Sequence, residues 1–227
     1  ETADQGDLAN QVETWPYDPA SDADFDLYAI WLDACTPSSN TLFDGTGTSD
    51  ISSATYGSNG VTYREIVFTD TSDCGWVVPT GVTEVDVVAV GGGGSAGYYG
   101  RAGGGGAGEL LYTASSLGVS EADQFLIDVG SGGAFVGGSI NQGRNGEDTR
   151  FGYYRAFGGG AGGGGGTSTS PANQIDGQDG GSGGGGARCF TTGSGVSTST
   201  DRYSEFVELG NDGGTVSDAC AALSPGS

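Results

Sequence analysis

Four cysteines (Cys35, Cys74, Cys189 and Cys220), 29 carboxylates, seven arginines and no histidine or lysine set the chemistry open to this chain of 227 residues. A Ser-His-Asp or Cys-His arrangement needs an imidazole base, and a phosphate-binding P-loop needs a lysine, so both are excluded. The run GGGGSAG at 91–97 follows a strand-like stretch, but a dinucleotide fingerprint must then open a helix, and here glycine follows again. Zinc sites take Cys or His at short fixed spacings, and no C-x-x-C is present. The cysteines therefore point to two disulfides formed in an oxidising compartment. They allow three connectivities, of which loop closure favours the sequence-local one, Cys35–Cys74 with Cys189–Cys220.

Among so many carboxylates some must lie close together, yet no spacing singles out a catalytic pair. Asp22, Asp24, Asp26 and Asp33 have the alternation of a calcium loop, but the sixth position is Leu27 rather than glycine and the segment has the pattern of a strand. Calcium is the one cofactor this spacing admits, and the expectation is a protein with no cofactor and no catalytic activity. Tyr98, Tyr99 and Arg101, and Tyr153 and Tyr154, stand beside glycine blocks. Exposed, these residues form a contact surface for a sugar or a neighbouring subunit; buried, they only cap the glycine segments.

The formal net charge is −22. Nucleic-acid backbones and anionic membranes both require Lys/Arg clusters, so neither is an expected partner. No apolar run approaches the ~20 residues of a spanning helix. A chain already processed by a signal peptidase, or cut from a longer precursor, would open on a residue such as Glu1 and contain no methionine; with the disulfides, the expected location is outside the cell or on a cell or virion surface.

The elements that must position these groups are β-strands. Apolar residues are only 35% of the chain and 48 residues are glycine, so a core is confined to the segments between glycine blocks. Residues 1–60 form an acidic N-terminal strand and linker segment, and residues 61–227 a glycine-rich β-sandwich domain. Within the first, Phe25, Leu27, Tyr28, Ile30 and Trp31 mark a strand, and 36–60 is a polar connector rich in turn signals. Strands are then expected at 61–69, around Val82–Val88, and at 109–116, 124–129, 149–157, 203–209 and 214–219, with no helical periodicity. Between them lie glycine blocks near 91–94, 103–108, 158–166 and 180–186. Glycine lacks a Cβ, so such blocks can pack side by side as extended polyglycine-II helices hydrogen-bonded to one another. The ordering cost is high, and flanking strands and cross-links would have to hold the ends.

The succession WVVPTGVTEVDVVAVGGGG at 76–94, LIDVGSGG at 126–133, GEDTRFG at 146–152 and AFGGGAGGGGG at 156–166 resembles the glycine-rich domain of bacterial surface proteins and of phage tail-tip and minor tail proteins. The resemblance spans about residues 61–210. It implies a jelly-roll-like β-sandwich whose glycine loops pack as polyglycine-II helices, similar in plan to the glycine-rich extracellular domain of anaplastic lymphoma kinase. The run DFDLYAIW at 24–31 is similar to the last strand of a Listeria–Bacteroides-type repeat, without the rest of that repeat. Such a strand can add to another subunit's sheet, giving a homo-oligomer or polymer. Two functions follow as expectations. One is a structural subunit of an extracellular assembly or filament. The other is an adhesin that recognises a surface glycan or protein through loops at one end of the glycine bundle, near Tyr98, Tyr99, Arg101, Tyr153 and Tyr154.

Overall fold

The computed structural model describes residues 39–43, 63–138, 141–165, 176–187 and 194–215. The expected strand at 25–31, the aspartates at 22–33 and most of the expected strand at 214–219 lie outside the described residues. The protein is all-β. Eleven strands are present among those residues: β1 (Ser39–Phe43), β2 (Tyr63–Val67), β3 (Cys74–Val77), β4 (Glu84–Val85), β5 (Val88–Val90), β6 (Leu110–Thr113), β7 (Leu117–Gly118), β8 (Gln124–Asp128), β9 (Thr149–Phe151), β10 (Tyr154–Ala156) and β11 (Phe206–Leu209). They form antiparallel sheets in the orders β10-β9-β8-β3, β11-β6-β5, β1-β2 and β4-β7.

Three local readings of the sequence change. The polar connector at 36–60 contains β1, whose Ser39–Phe43 pairs with Tyr63–Val67; Leu42 and Phe43 were too few apolar residues to stand out among Ser and Thr. The expected strand around Val82–Val88 is broken at Asp86-Val87 into β4 and β5, which join different sheets. The expected strand at 149–157 is a hairpin, because Gly152 sits at φ +58°, a left-handed conformation that turns the chain between β9 and β10.

A small core lies between the four-stranded and three-stranded sheets. Ala89, Leu111 and Phe206 from one meet Ile127, Phe151, Tyr154 and Ala156 from the other. Phe125 stacks on Phe151 with ring centroids 4.6 Å apart, and Trp76 lies tilted against both. Alternation along each strand produces this: Ala89 is buried between exposed Val88 and Val90, and Phe151 and Thr149 are buried either side of exposed Arg150.

The glycine blocks extend from this core as straight segments outside any sheet. Their hydrogen bonds recur every third residue, a period that belongs neither to a strand nor to an α-helix. The N–H groups of Gly91, Gly94 and Gly97 donate to the carbonyls of Glu109, Gly106 and Gly103, while those of Gly92, Ser95 and Tyr98 donate to Glu147, Arg144 and Asn141. Segment 157–165 lies at the centre, with 158–165 buried throughout. Its N–H groups at 159, 162 and 165 donate to Gly92, Ser95 and Tyr98, and those at 160 and 163 donate to Ser182 and Gly185. Its carbonyls accept from Glu109, Gly106 and Gly103, from Gly146 and Gly143, and from Gly181 and Gln178. A strand in a sheet has two hydrogen-bonded neighbours; this segment bonds to 91–98, 103–109, 141–147 and both halves of 177–186.

Such contact from several sides forbids side chains. A Cβ at Gly160 would fall on the Gln178 carbonyl and one at Gly162 on the Gly103 carbonyl, both closer than the 3.0 Å that real Cβ atoms keep. Gly104, on the outside of the bundle, has nothing within 4 Å of the same added atom. Gly160→Ala is therefore expected to destabilise the fold by at least about 2 kcal/mol, and Gly104→Ala to be neutral within about 0.5 kcal/mol. Paired chemical-denaturation curves check this; equal midpoints for the two variants would contradict the packing described.

Candidate functional site

The polar residues that sequence reasoning left unassigned gather where the strands feed the central segment. Glu109 ends the segment 103–109 just before β6, and its side chain is fully buried. Its Oε2 accepts from the Phe157 N–H at 2.8 Å and from Arg202 at 2.5 Å. The Arg202 Nε donates to Glu208 Oε2 at 2.7 Å, and the Arg202 N–H donates to the other Glu208 oxygen. The guanidinium also lies 3.9 Å from the centroid of the Phe157 ring. Burial pulls the Arg202 pKa down, but the hydrogen bonds to Glu208 and Glu109 outweigh it and hold the pKa above the ordinary arginine value.

This cluster is a lock. The Glu109 and Glu208 carboxylates have 0% side-chain exposure and meet across the Arg202 guanidinium. Their work is to tie β6, β11 and the start of the central segment together through one cation. Removing that cation leaves two buried carboxylates without their charge partner, which in comparable sites costs about 3–5 kcal/mol. Arg202→Met is expected to lose roughly that much, and Arg202→Lys to recover only part, since an ammonium cannot reproduce the planar fork. Thermal melts of both variants test it; wild-type stability in Arg202→Met would refute the lock.

The stretch GEDTRFG at 146–152 has a similar use. Asp148 Oδ1 accepts from the Gly158 N–H at 2.7 Å, and its other oxygen pairs with Arg155. Asn145 Oδ1 accepts from the Ala161 N–H at 2.8 Å. The Thr149 hydroxyl donates to the Val90 carbonyl and accepts from the Gly130 N–H, while Glu147 takes the Ser131 hydroxyl. Thus the N–H groups at 157, 158 and 161, which no neighbouring carbonyl takes, are satisfied by Glu109, Asp148 and Asn145. A sequence signal for these residues existed: polar side chains able to accept from N–H, placed within a few residues of a glycine tract.

Beside that stretch, Thr71, Asp73, Asp128, Glu147, Asp148 and Arg150 line a shallow acidic groove. Partial burial and the nearby Asp73 carboxylate push the Asp128 pKa upward against the pull of Arg150. Among the described residues no group of three or more His, Cys, Asp or Glu has the arrangement to hold a metal ion. Cys74 is disulfide-bonded; Cys35, Cys189 and Cys220 lie outside the described residues, as does the pairing.

The tyrosines expected at one end of the bundle are at two. Tyr98, Tyr99 and Arg101 occupy the turn between segments 91–98 and 103–109, beside Gly165, whose N–H donates to the Tyr98 carbonyl. Tyr153 and Tyr154 precede the opposite end of the central segment, eight residues or about 25 Å of extended chain away. There Tyr154 is buried against Phe206 and Tyr203, while Tyr153 covers it and is exposed. Burial and the Tyr153 hydroxyl push the Tyr154 pKa upward. This second pair is a core cap with one open ring.

The first end is different. Tyr99 and Arg101 have φ of +84° and +72°, conformations that non-glycine residues rarely take, in a chain that places glycine freely elsewhere. Tyr98 stands edge-on to Phe135, ring centroids 6.0 Å apart, and Phe135 and Tyr99 are 83% and 60% exposed. Phe135 was missed because it sits alone in a glycine-rich loop without periodic context.

A family model described as a glycine-rich domain matches residues 69–226, and the chain belongs to that family. No curated protein and no solved structure matches it. Among the described residues no helix is long and apolar enough to cross a membrane.

Proposed function

We propose that the protein is a non-enzymatic structural subunit of an extracellular assembly, built as a jelly-roll-like sandwich from which polyglycine-II segments extend. One observation carries this reading: the buried tract 158–165 and the polar groups around it are spent on internal backbone hydrogen bonds. The residues with chemistry to offer are holding a rigid rod in place. Three-residue periodicity and contact from several sides are the properties of a polyglycine-II bundle, where only glycine fits. Disulfides at Cys35, Cys74, Cys189 and Cys220 suit a fold with so small a core, and suit an oxidising exterior.

Assembly runs through the N-terminal segment, whose Phe25, Leu27, Tyr28, Ile30 and Trp31 engage a neighbouring copy. Deleting residues 1–34 is expected to leave the melting transition unchanged and to abolish filaments or sheets in negative-stain electron microscopy. A deletion variant that still polymerises would remove this reading.

The turn at Tyr98–Arg101 favours a second reading, an adhesin. Exposed rings at the tip of a rigid rod are suited to stacking on sugar faces, and the charge of −22 would turn anionic glycans away. The double variant Tyr99→Ala/Phe135→Ala should lose retention on immobilised neutral polysaccharide about tenfold or more without a change in melting temperature. Unchanged retention, or none by the wild type, would count against a sugar site there.

A further inference from the structure

Two packing demands meet at neighbouring positions in the segment 141–147. Position 146 admits only glycine, because a Cβ there would fall on the Gly92 carbonyl. Position 145 supplies an acceptor, its Oδ1 taking the N–H of buried Ala161 at 2.8 Å. The chain answers them with Asn145-Gly146. Asparagine is chemically labile, and most so before glycine, whose nitrogen has no side chain to shield it. Exposure makes the pair look vulnerable: Asn145 is exposed, lies outside any strand and lines an open groove with Ser131, Arg144 and Glu147. Hydrogen bonding says the opposite. Deamidation requires the Gly146 nitrogen to lose its proton and attack the Asn145 Cγ. That N–H donates to the Gly159 carbonyl at 2.9 Å, so a deprotonated nitrogen would face an oxygen lone pair. Swinging Cγ over the nitrogen would pull Oδ1 off Ala161 and leave a buried donor unpaired. The flanks are pinned too: the Gly143 N–H donates to Gly162, and the Arg144 and Glu147 carbonyls accept from Ser95 and Gly92.

We propose that Asn145-Gly146 is a latent modification site, shut by the folded bundle and opened when segment 141–147 leaves its neighbours. Once the segment is free, the Gly146 nitrogen gives its proton to hydroxide and bonds to the Asn145 Cγ. The Cγ–Nδ2 bond breaks, and the departing nitrogen takes a proton from water and leaves as ammonia. Water then opens the five-membered imide at one of its two carbonyls. One opening gives aspartate. The other gives isoaspartate, in which the main chain runs through the former side chain and gains one carbon. The sum is one water consumed and one ammonia released, with no change of oxidation state. The rate follows the fraction of time the segment is open. Aspartate keeps an oxygen for the Ala161 N–H and lets the segment return. Isoaspartate lengthens the path between residues 143 and 146, whose N–H groups then no longer meet Gly162 and Gly159 together. The site therefore records opening in one direction.

The test holds the full-length oxidised chain in mildly alkaline buffer, native in one arm and in guanidinium in the other. Peptide mass spectrometry reads conversion at Asn145, and electron-transfer fragmentation separates aspartate from isoaspartate. The chain's other Asn-Gly pair, Asn59-Gly60, lies outside the described residues, and its conversion in guanidinium is the positive control. The native rate at Asn145 is expected to be more than about tenfold below the denatured one, and any smaller difference overturns the proposal. Gly143→Ala puts a Cβ on the Ser95 carbonyl and loosens this segment alone. It is expected to raise the native rate about tenfold or more, and an unchanged rate in the folded variant overturns the assigned cause. If that variant does not fold, the wild-type comparison decides. Hydrogen exchange at the Gly143 and Gly146 amides gives the last readout, on chains converted in guanidinium in an Asn59→Ser background and then diluted into buffer. Protection is expected to return in the Asn145→Asp variant and not in chains carrying isoaspartate; its return in both would sink the one-way step.

Discussion

Everything in this molecule depends on backbones approaching one another more closely than side chains allow. The central segment bonds to neighbours on several sides at once, and a single methyl group at Gly160 or Gly162 would overlap a carbonyl across the gap. The glycine tracts and the placement of the polar groups around the central segment follow from that constraint. A conventional domain fills its centre with apolar side chains. Here much of the interior is peptide, stabilised by hydrogen bonds between amide groups that have no water to turn to. The entropy lost by ordering so many glycines is large, and the two-sheet core with its stacked Phe125 and Phe151 is small. The Arg202 lock therefore carries more of the fold than such a feature does in a protein with a larger core.

The constraint also explains where acidic residues went. Glu109 and Asp148, like the neutral Asn145, each sit at a point where an amide of the central segment has no carbonyl opposite it. A carboxylate accepts from N–H groups and donates to none, which makes it suited to an interior with amide donors left over. Some of the acidity that looks from composition like a solvated surface is thus internal equipment. Other carboxylates, Glu84, Asp86, Glu121 and Glu205 among them, face water.

Much of the fold was legible in the sequence because its two periods differ so sharply. Alternating β-branched and aromatic residues marked β2, β6, β8 and β11, and uninterrupted glycine marked the extended segments between them. Breaks were harder to see. Val82–Val88 sets β-branched residues around Glu84 and Asp86 in a strand-like pattern, and it is interrupted at Asp86-Val87, where β4 and β5 join different sheets. The site was less legible than the fold. Tyr98 and Tyr153 look alike beside their glycine blocks, yet one belongs to an open tip and the other to a core cap. The difference is set by which end of segment 157–165 each one meets, and that is a property of the assembled bundle. Phe135 and Arg202 gain their meaning from residues far along the chain, and no local pattern announces them.

A tract of identical residues has no address of its own. If segment 157–165 slid along its neighbours by three residues, nearly every amide in it would find an equivalent carbonyl, and the backbone alone could not tell the two alignments apart. What distinguishes them are the side chains that the tract itself carries and that fit one alignment only: the Phe157 ring, 3.9 Å from the Arg202 guanidinium, and the buried Ala161 methyl. They act as detents on an otherwise smooth slide. The rod accordingly has a natural unit of length, three residues. Tracts that grow or shrink by that unit on all sides keep every bond and change only how far the tip at Tyr98–Arg101 stands from the sheets.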